Sequence, residues 1–541
     1  MEKALEKVRN LLNAIFEKEV GVLVWVGSFL GIVGLRVFIE TIVIPFSNTP
    51  DGVLVEYLHN LFFFLISFVV IWLILSKILH INPCKLAALF LGAAWLIVLP
   101  PILDIIKTGQ GVYWSFYALD GPKGLWGEFI TFFGHLPSGI VYFGTRIVFA
   151  SVIGLIFLLA YVLTKNLWRS LFGAFMAYLT LFFMGSFPSW FAFGYYFFVD
   201  PQKIADIQGF HIAQLFGAQT SIFGVKFDNL KYAFAHNLDL VYFLVLVGAL
   251  CWLFFALNKE KLWAVVKNAR LPQLIYHTGL FGVGLGLGFL AYPGNLNLNV
   301  FSFFAVLDLI VGVWLAWVAS VIVNDVYDFE IDKISNASRP LQMNIFTRKE
   351  YLNLGVIIFA LSLLGGLMVS VKFMFILFFY QFLAWAYSAP PFRLKKFPGV
   401  ATFISALASL LIMLMGFFLF SGDQNIAGLS WRIIILLLAA LTLSLPIKDF
   451  KDIEGDKKYR IWTIPVIFGE EKGRLIVAVG IFISFMLSVF LLNEFRLFWW
   501  ALLFGGAAFL IVINKKPRQL FWWVLGVVSI YGIILVKTLF L

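Results

Sequence analysis

Six aspartates fall into two sets of identical spacing: Asp325, Asp328 and Asp332, then Asp449, Asp452 and Asp456. A helix turns about 100° per residue, so positions i, i+3 and i+7 lie within roughly 60° of one another and each set is expected on one helix face. Glu330 points the other way. Both sets directly follow apolar runs, residues 300–323 and 431–447. Three carboxylates on one stripe repel each other and gain nothing from packing, and a divalent cation would explain why the charge is concentrated there. Hard oxygen ligands suit Mg2+, which keeps several waters and shares its remaining positions with substrate phosphates. The pattern therefore points to a diphosphate. Asn324 and Lys448 occupy equivalent places just ahead of the two sets.

The elements that position these residues are membrane helices. The chain has 541 residues, 62% of them hydrophobic and 13% charged, with a mean hydropathy of +0.96. Apolar runs of 18 or more recur throughout, which excludes a soluble globular protein. We expect an all-α polytopic membrane protein of about fifteen transmembrane helices. Six spans fall in the first half, near 20–46, 58–78, 85–106, 139–164, 169–198 and 238–257. Nine follow, near 271–293, 300–323, 351–371, 373–390, 399–421, 431–447, 473–492, 497–513 and 519–540.

The net charge of +11 comes from Lys and Arg in short loops, the distribution that sets membrane topology, so no nucleic-acid partner is implied. With the Asp-rich segments cytoplasmic, the Arg393–Lys396 and Lys515–Arg518 loops also fall inside, the N-terminus is inside and the C-terminus outside. Residues 1–257 form a first membrane domain with two long external segments, 107–138 and 199–237, and no recognisable motif. Asn258 to Arg270 reads as a cytoplasmic linker, and residues 271–541 form the second domain. Residues 1–19 carry an apolar stripe through Val8, Leu11, Leu12, Ile15 and Phe16, expected as a surface helix or a polar start to the first span. The six histidines, His135 among them, show no metal-ligand spacing, and Cys84 and Cys251 imply no disulfide framework.

Four pieces in order carry a family resemblance: Asn324–Asp332, Arg339-Pro340-Leu341, Tyr387 to Lys395 (YSAPPFRLK), and Lys448–Asp456 leading to Thr463–Gly469 (TIPVIFG). Residues 271–541 resemble the UbiA-type intramembrane prenyltransferase superfamily, whose members have nine helices and two Asp-rich loops. The resemblance implies a nine-helix bundle that transfers an isoprenyl group from a prenyl diphosphate to a membrane-soluble acceptor. It implies Mg2+, two ions, held by Asp325, Asp328, Asp332, Asp449, Asp452 and Asp456 as the catalytic core. Breaking the allylic C–O bond leaves negative charge on the diphosphate, so basic side chains there stabilise the leaving group. Arg339, Arg393, Lys395 and Lys448 are candidates, as Arg offers a bidentate fork and Lys a point charge. The same residues also serve topology. Asn324 supplies an amide oxygen to metal or a hydrogen bond to phosphate. Tyr387 hydrogen-bonds the diphosphate, faces the allyl cation or anchors a helix end.

Gln342-Met343-Asn344 replaces a Gly-containing turn of many relatives, and Arg460-Ile461-Trp462 lacks a Gly often found ahead of the Thr. The wording of Asp328–Ile334 (DFEIDKI) and Pro390–Lys395 (PPFRLK) most resembles the ether-lipid (glyceryl phosphate) and chlorophyll-type branches, with quinone precursors as a further acceptor class. Asn336-Ala337-Ser338 matches a glycosylation sequon by chance. The competing reading is a transporter or channel with a cytoplasmic divalent-cation site. Such proteins keep ionisable groups near mid-membrane, and here only Asp308 and Arg146 stand out. Membrane lipid is the expected surround, and nothing in the sequence names a protein partner.

Overall fold

The computed structural model describes residues 2–43, 50–109, 117–134, 141–227, 232–422 and 426–540. His135 and parts of both long external segments lie outside the described residues. Apart from one two-stranded hairpin, the described elements are helical, and fifteen helical segments among them are long and apolar enough to cross a membrane. The protein is an integral, multi-pass membrane protein.

The chain divides into two compact units, residues 1–220 with 227–262, and residues 221–226 with 263–541. The first contains α1 (Glu2–Phe16), α2 (Val22–Val43), α3 (Pro50–Leu79), α4 (Pro83–Ala93), α5 (Leu99–Thr108), α6 (Pro122–Ile130), α7 (Phe143–Thr164), α8 (Leu167–Gly185), α9 (Phe187–Val199), α10 (Gly209–Gly217) and α11 (Ala233–Leu257). α1 is a separate helix, in which Leu12 is buried while Val8 and Leu11 stay exposed. The single span expected over 169–198 is two helices. The chain turns at Ser186 (φ −124°, ψ 17°), and Pro188, which has no N–H, enters the first turn of α9. Arg146 lies in the first turn of α7 rather than in mid-span.

Several of the buried polar side chains inside this unit satisfy one another. Asp239 on α11 stands 2.9 Å from His59 Nδ1 on α3, the Tyr117 hydroxyl lies 2.8 Å from His59 Nε2, and Tyr242 lies 3.0 Å from Tyr117. Arg36 donates to the Ile97 carbonyl and pairs with Glu40 at 2.8 Å. Each such group would be costly in hydrocarbon without its partner.

The second unit holds α13 (Leu271–Ala291), α14 (Val300–Tyr327), α15 (Phe329–Ser335), α16 (Arg348–Leu367), α17 (Val371–Ser388), α18 (Val400–Ser421), α19 (Trp431–Ser444), α20 (Ile453–Lys458), α21 (Ile464–Phe468), α22 (Glu470–Leu492), α23 (Phe498–Asn514) and α24 (Pro517–Phe540). The unit boundary falls within α12 (Lys259–Asn268). Local signals fix the helix starts. Asn299 accepts from the Ser302 amide ahead of α14, and Thr347 with Glu350 forms a capping box ahead of α16.

Between helices in lipid there is no hydrophobic drive, so small residues and close backbone approach supply the packing. A Cβ on Gly284 of α13 would stand 1.8 Å from the Met413 carbonyl oxygen, and one on Gly416 of α18 2.2 Å from that of Phe281. These helices touch backbone to backbone. The hairpin of β1 (Ser221–Ile222) and β2 (Val225–Lys226) belongs to this unit. The Gly224 amide donates to the Leu419 carbonyl at the end of α18.

Candidate active site

Both Asp-rich segments are built the same way, and neither is one continuous helix face as expected. α14 ends at Tyr327, and Asp328 (φ −98°, ψ 12°) turns the chain into the short helix α15. In the second segment Pro446 carries no N–H, the chain tightens to a 3-10 helix over Leu445–Lys451, and Asp452 (φ −112°, ψ 11°) turns it into α20. Each middle aspartate therefore sits in the bridge region of backbone space. The turn places Glu330 with Asp332, and Glu454 with Asp456, in the first turn of a new helix, where its dipole favours negative charge. Glu330 points away from the site, exposed and paired with Lys333 at 3.0 Å.

α15 and α20 pack against each other and bring the two sets together. Asn336 joins them, its Nδ2 donating to Asp332 Oδ1 (3.1 Å) and to Asp452 Oδ1 (3.2 Å). Gly455 permits the approach, since a Cβ there would stand 2.3 Å from Ser335 Oγ and 3.0 Å from Ile331 Cγ2. Gly455→Ala should push the helices apart and destabilise by about 1–3 kcal/mol through overpacking. A thermal melt and an activity assay check this, and a variant unchanged in both would show that the contact is not needed.

Four of the six carboxylates are held by cations. Arg339 donates to Asp325 Oδ1 at 2.7 Å and also pairs with Asp332. Asp325, fully buried, further accepts from Asn268 (2.6 Å) and Tyr351 (3.4 Å), with Arg270 at 3.5 Å. Asp328 pairs with Lys395, accepts from Asn324 at 2.7 Å and has Arg393 at 3.5 Å. Lys448 lies over the Tyr387 ring at 4.9 Å, and its Nζ is 3.4 Å from Ser405 Oγ. Lys451 stands 4.0 Å from Asp452. Asp449 and Asp456 make no ion pair among the described residues.

The electrostatics are crowded on both sides. Burial, then the charges of Asp325 and Asp328, push the Asp332 carboxyl up to about 7 against the pull of Arg339. Burial, then Asp449 and Asp452, push Asp456 up to about 8. Burial lowers Lys395 despite Asp328, and burial with the like charge of Arg339 lowers Arg270. Arg339 is raised, because Asp325 and Asp332 outweigh its burial.

Oxygen donors of this kind fit a hard divalent cation, which would relieve the surplus negative charge around Asp332 and Asp456. As the side chains stand, no group of three or more His, Cys, Asp or Glu among the described residues is close enough to hold an ion. Arg339 and Lys395 occupy the carboxylates instead. Several residues of the cluster, Asn268, Arg270, Asn336 and Tyr351 among them, are absent from the sequence-based candidates. Asn268 and Arg270 lie in a charged stretch that reads as topology, Tyr351 opens an apolar helix, and Asn336 looks like a stray sequon. Their position just before a span or just after an aspartate set is the signal that was available.

Residues 279–534 match the model of the UbiA prenyltransferase family, which leaves residues 1–278 unmatched. Among similar curated proteins, homogentisate phytyltransferase of Synechocystis sp. is 28% identical over 242 residues, covering 40% of this chain and 72% of that protein. Digeranylgeranylglyceryl phosphate synthase of Methanosphaera stadtmanae is 26% identical over 206 residues, covering 37% and 73%. Among solved structures, a UbiA homolog from Archaeoglobus fulgidus bound to DMAPP and Mg2+ is similar over 50% of this chain and 99% of that one, with 19% identity and a TM-score of 0.39.

Proposed function

We propose that this chain transfers an isoprenyl group from a prenyl diphosphate to an acceptor dissolved in the membrane, as the match of residues 279–534 to the UbiA prenyltransferase family model supports. The observation that carries this reading is the joint between the two Asp-rich segments, where Asp325, Asp328, Asp332 and Asp452 meet Arg270, Arg339, Arg393, Lys395 and Lys451, with Lys448 over the Tyr387 ring nearby. Bound Mg2+ would neutralise charge on the diphosphate, with Asp325, Asp328, Asp332, Asp449, Asp452 and Asp456 as its ligands.

Arg339 and Lys395 then lose their carboxylate partners and are free to hold the diphosphate oxygens, with Arg393 and Lys448 beside them. As the C–O bond breaks, these cations take the electron pair's charge on the leaving group. Tyr387, already under Lys448, offers its ring face to the allyl carbon. The names of the similar curated proteins support aromatic and glyceryl phosphate acceptors alike.

Exchange of this kind makes metal and diphosphate binding mutually dependent. Titration calorimetry with Mg2+ and a non-hydrolysable geranyl thiodiphosphate should show each ligand tightening the other by about tenfold or more. Independent affinities would sink the exchange. The scarcity of Lys and Arg in residues 294–299, against their abundance in Arg393–Lys396 and Lys515–Arg518, supports a cytoplasmic Asp-rich layer, a cytoplasmic N-terminus and an external C-terminus. In a background without Cys84 and Cys251, a cysteine at Asn297 should label from outside and one at Lys396 from inside. Labelling of both from one side would reject this orientation.

A further inference from the structure

Prenyl transfer to an O–H nucleophile releases one proton, and the Asp-rich layer is badly suited to receive it. Its carboxylates are ion-paired or assigned to metal, and a diphosphate clamped by cations is a weak base. The second unit contains a single histidine, His277 on α13. It is buried, and its Nδ1 lies 2.6 Å from the Gln273 carbonyl oxygen. A carbonyl only accepts, so Nδ1 carries the proton and Nε2 keeps a lone pair. Nε2 lies 2.9 Å from the hydroxyl of Tyr380 on α17, also buried, which donates to it. The Tyr380 oxygen keeps its own lone pairs for a further donor.

The pair is linked to the proposed leaving-group site through Trp317. The His277 ring lies 5.1 Å from that of Trp317 on α14. Trp317 donates to the carbonyl of Ala269, the neighbour of Arg270, whose guanidinium is 3.5 Å from Asp325. Trp317 precedes Asp325 by eight helical residues, about 12 Å along the axis. The surroundings are polar but uncharged. Tyr276 donates to Ser409 on α18 at 2.8 Å, and the Oε1 of Gln273 is buried with no hydrogen-bond partner. Four helices thus contribute neutral hydrogen-bonding groups at a depth where hydrocarbon side chains would be the default.

Resting on the prenyl-transfer reading, we infer that His277 and Tyr380 form the proton-accepting end of an acceptor site that takes neutral hydroxyl or phenol nucleophiles. The acceptor hydroxyl donates to the Tyr380 oxygen. As its oxygen bonds to the prenyl C1, the C1–O bond to diphosphate breaks, and that electron pair leaves with the diphosphate. The acceptor proton passes to Tyr380, whose own proton passes to His277 Nε2. The Trp317 ring face stabilises the imidazolium, which returns its proton to water after product release. Tyr380 touches substrate, while His277 acts through it.

The test uses full-length Tyr380→Phe and His277→Ala enzymes, geranyl diphosphate, and a series of phenols and alcohols of graded acidity. Both variants should bind Mg2+ and geranyl thiodiphosphate within twofold of wild type by calorimetry. Transfer to the least acidic acceptors should fall by about 10²-fold or more in kcat with little change in KM, and the deficit should shrink as the acceptor becomes more acidic. Added imidazole should restore part of the His277→Ala rate. A loss that is uniform across the series, or no loss at all, overturns the inference and leaves the pair a packing feature. A wild-type enzyme that binds Mg2+ and geranyl thiodiphosphate yet prenylates no hydroxyl acceptor overturns it too. Failure of the wild type to bind those ligands at all would instead reject the prenyl-transfer reading beneath it.

Discussion

Replacing Asp456 with asparagine is expected to slow prenyl transfer by at least about 10²-fold while preserving the fold, the scale seen when one preorganised electrostatic group is removed from a developing charge. The residue makes no ion pair among the described residues, and burial, followed by the charges of Asp449 and Asp452, raises it to about 8. The sign for stability follows from that shift. An unfolded aspartate titrates near 4, so below about 4 the protonated side chain stabilises the fold relative to its charged form. That advantage is lost as the pH rises through about 8. Asparagine never acquires the charge. The variant should therefore melt at or above the wild type without Mg2+, and its margin should grow between pH 5 and pH 8. Retained transfer in Mg2+, or a metal-free melting point several degrees below wild type, would remove Asp456 from the metal set.

Arg339→Leu should be the most damaging single change. The guanidinium spans Asp325 and Asp332, and its side chain is 10% exposed while theirs are 0% and 3%. Removing one partner of a buried charge pair typically costs about 3–5 kcal/mol, because the remaining charge is left uncompensated. Here two carboxylates are stranded. Mg2+ should restore much of the lost stability by supplying the missing positive charge, but transfer should stay low because nothing replaces the arginine on the diphosphate. Calorimetric melts with and without Mg2+, beside a rate assay, separate these effects. A variant as stable as wild type in EDTA would show that Arg339 does not neutralise the pair.

The residues assigned to the chemistry were the easiest to pick out. Spacing alone marked both aspartate sets, because repelling charges at a helix end have no packing explanation, and their ordered neighbours Arg339 and Lys395 came with them. Span positions were legible for the same reason, since nothing but a bilayer favours so much apolar length. Backbone breaks were not. The break at Gly185-Ser186-Phe187-Pro188-Ser189 was signalled by its Gly and Pro but outweighed by the apolar length on either side, and the turns at Asp328 and Asp452 depend on how α15 meets α20, an event between segments over 100 positions apart. Asn268 and Arg270 stayed hidden because a loop that sets topology and a loop that reaches into a site have the same composition.

The backbone contact between α13 and α18 bears on how the enzyme responds to different membranes. Helices packed through side chains accommodate a thicker or thinner bilayer by tilting individually. With Gly284 against the Met413 carbonyl and Gly416 against that of Phe281, α13 and α18 have no slack and tilt as one plate. Arg270 immediately precedes one of them and Lys395 lies five residues ahead of the other. Arg270, beside Asp325, and Lys395, beside Asp328, should thus travel together, and the distance between these two flanks of the Asp-rich layer should be insulated from lipid chain length.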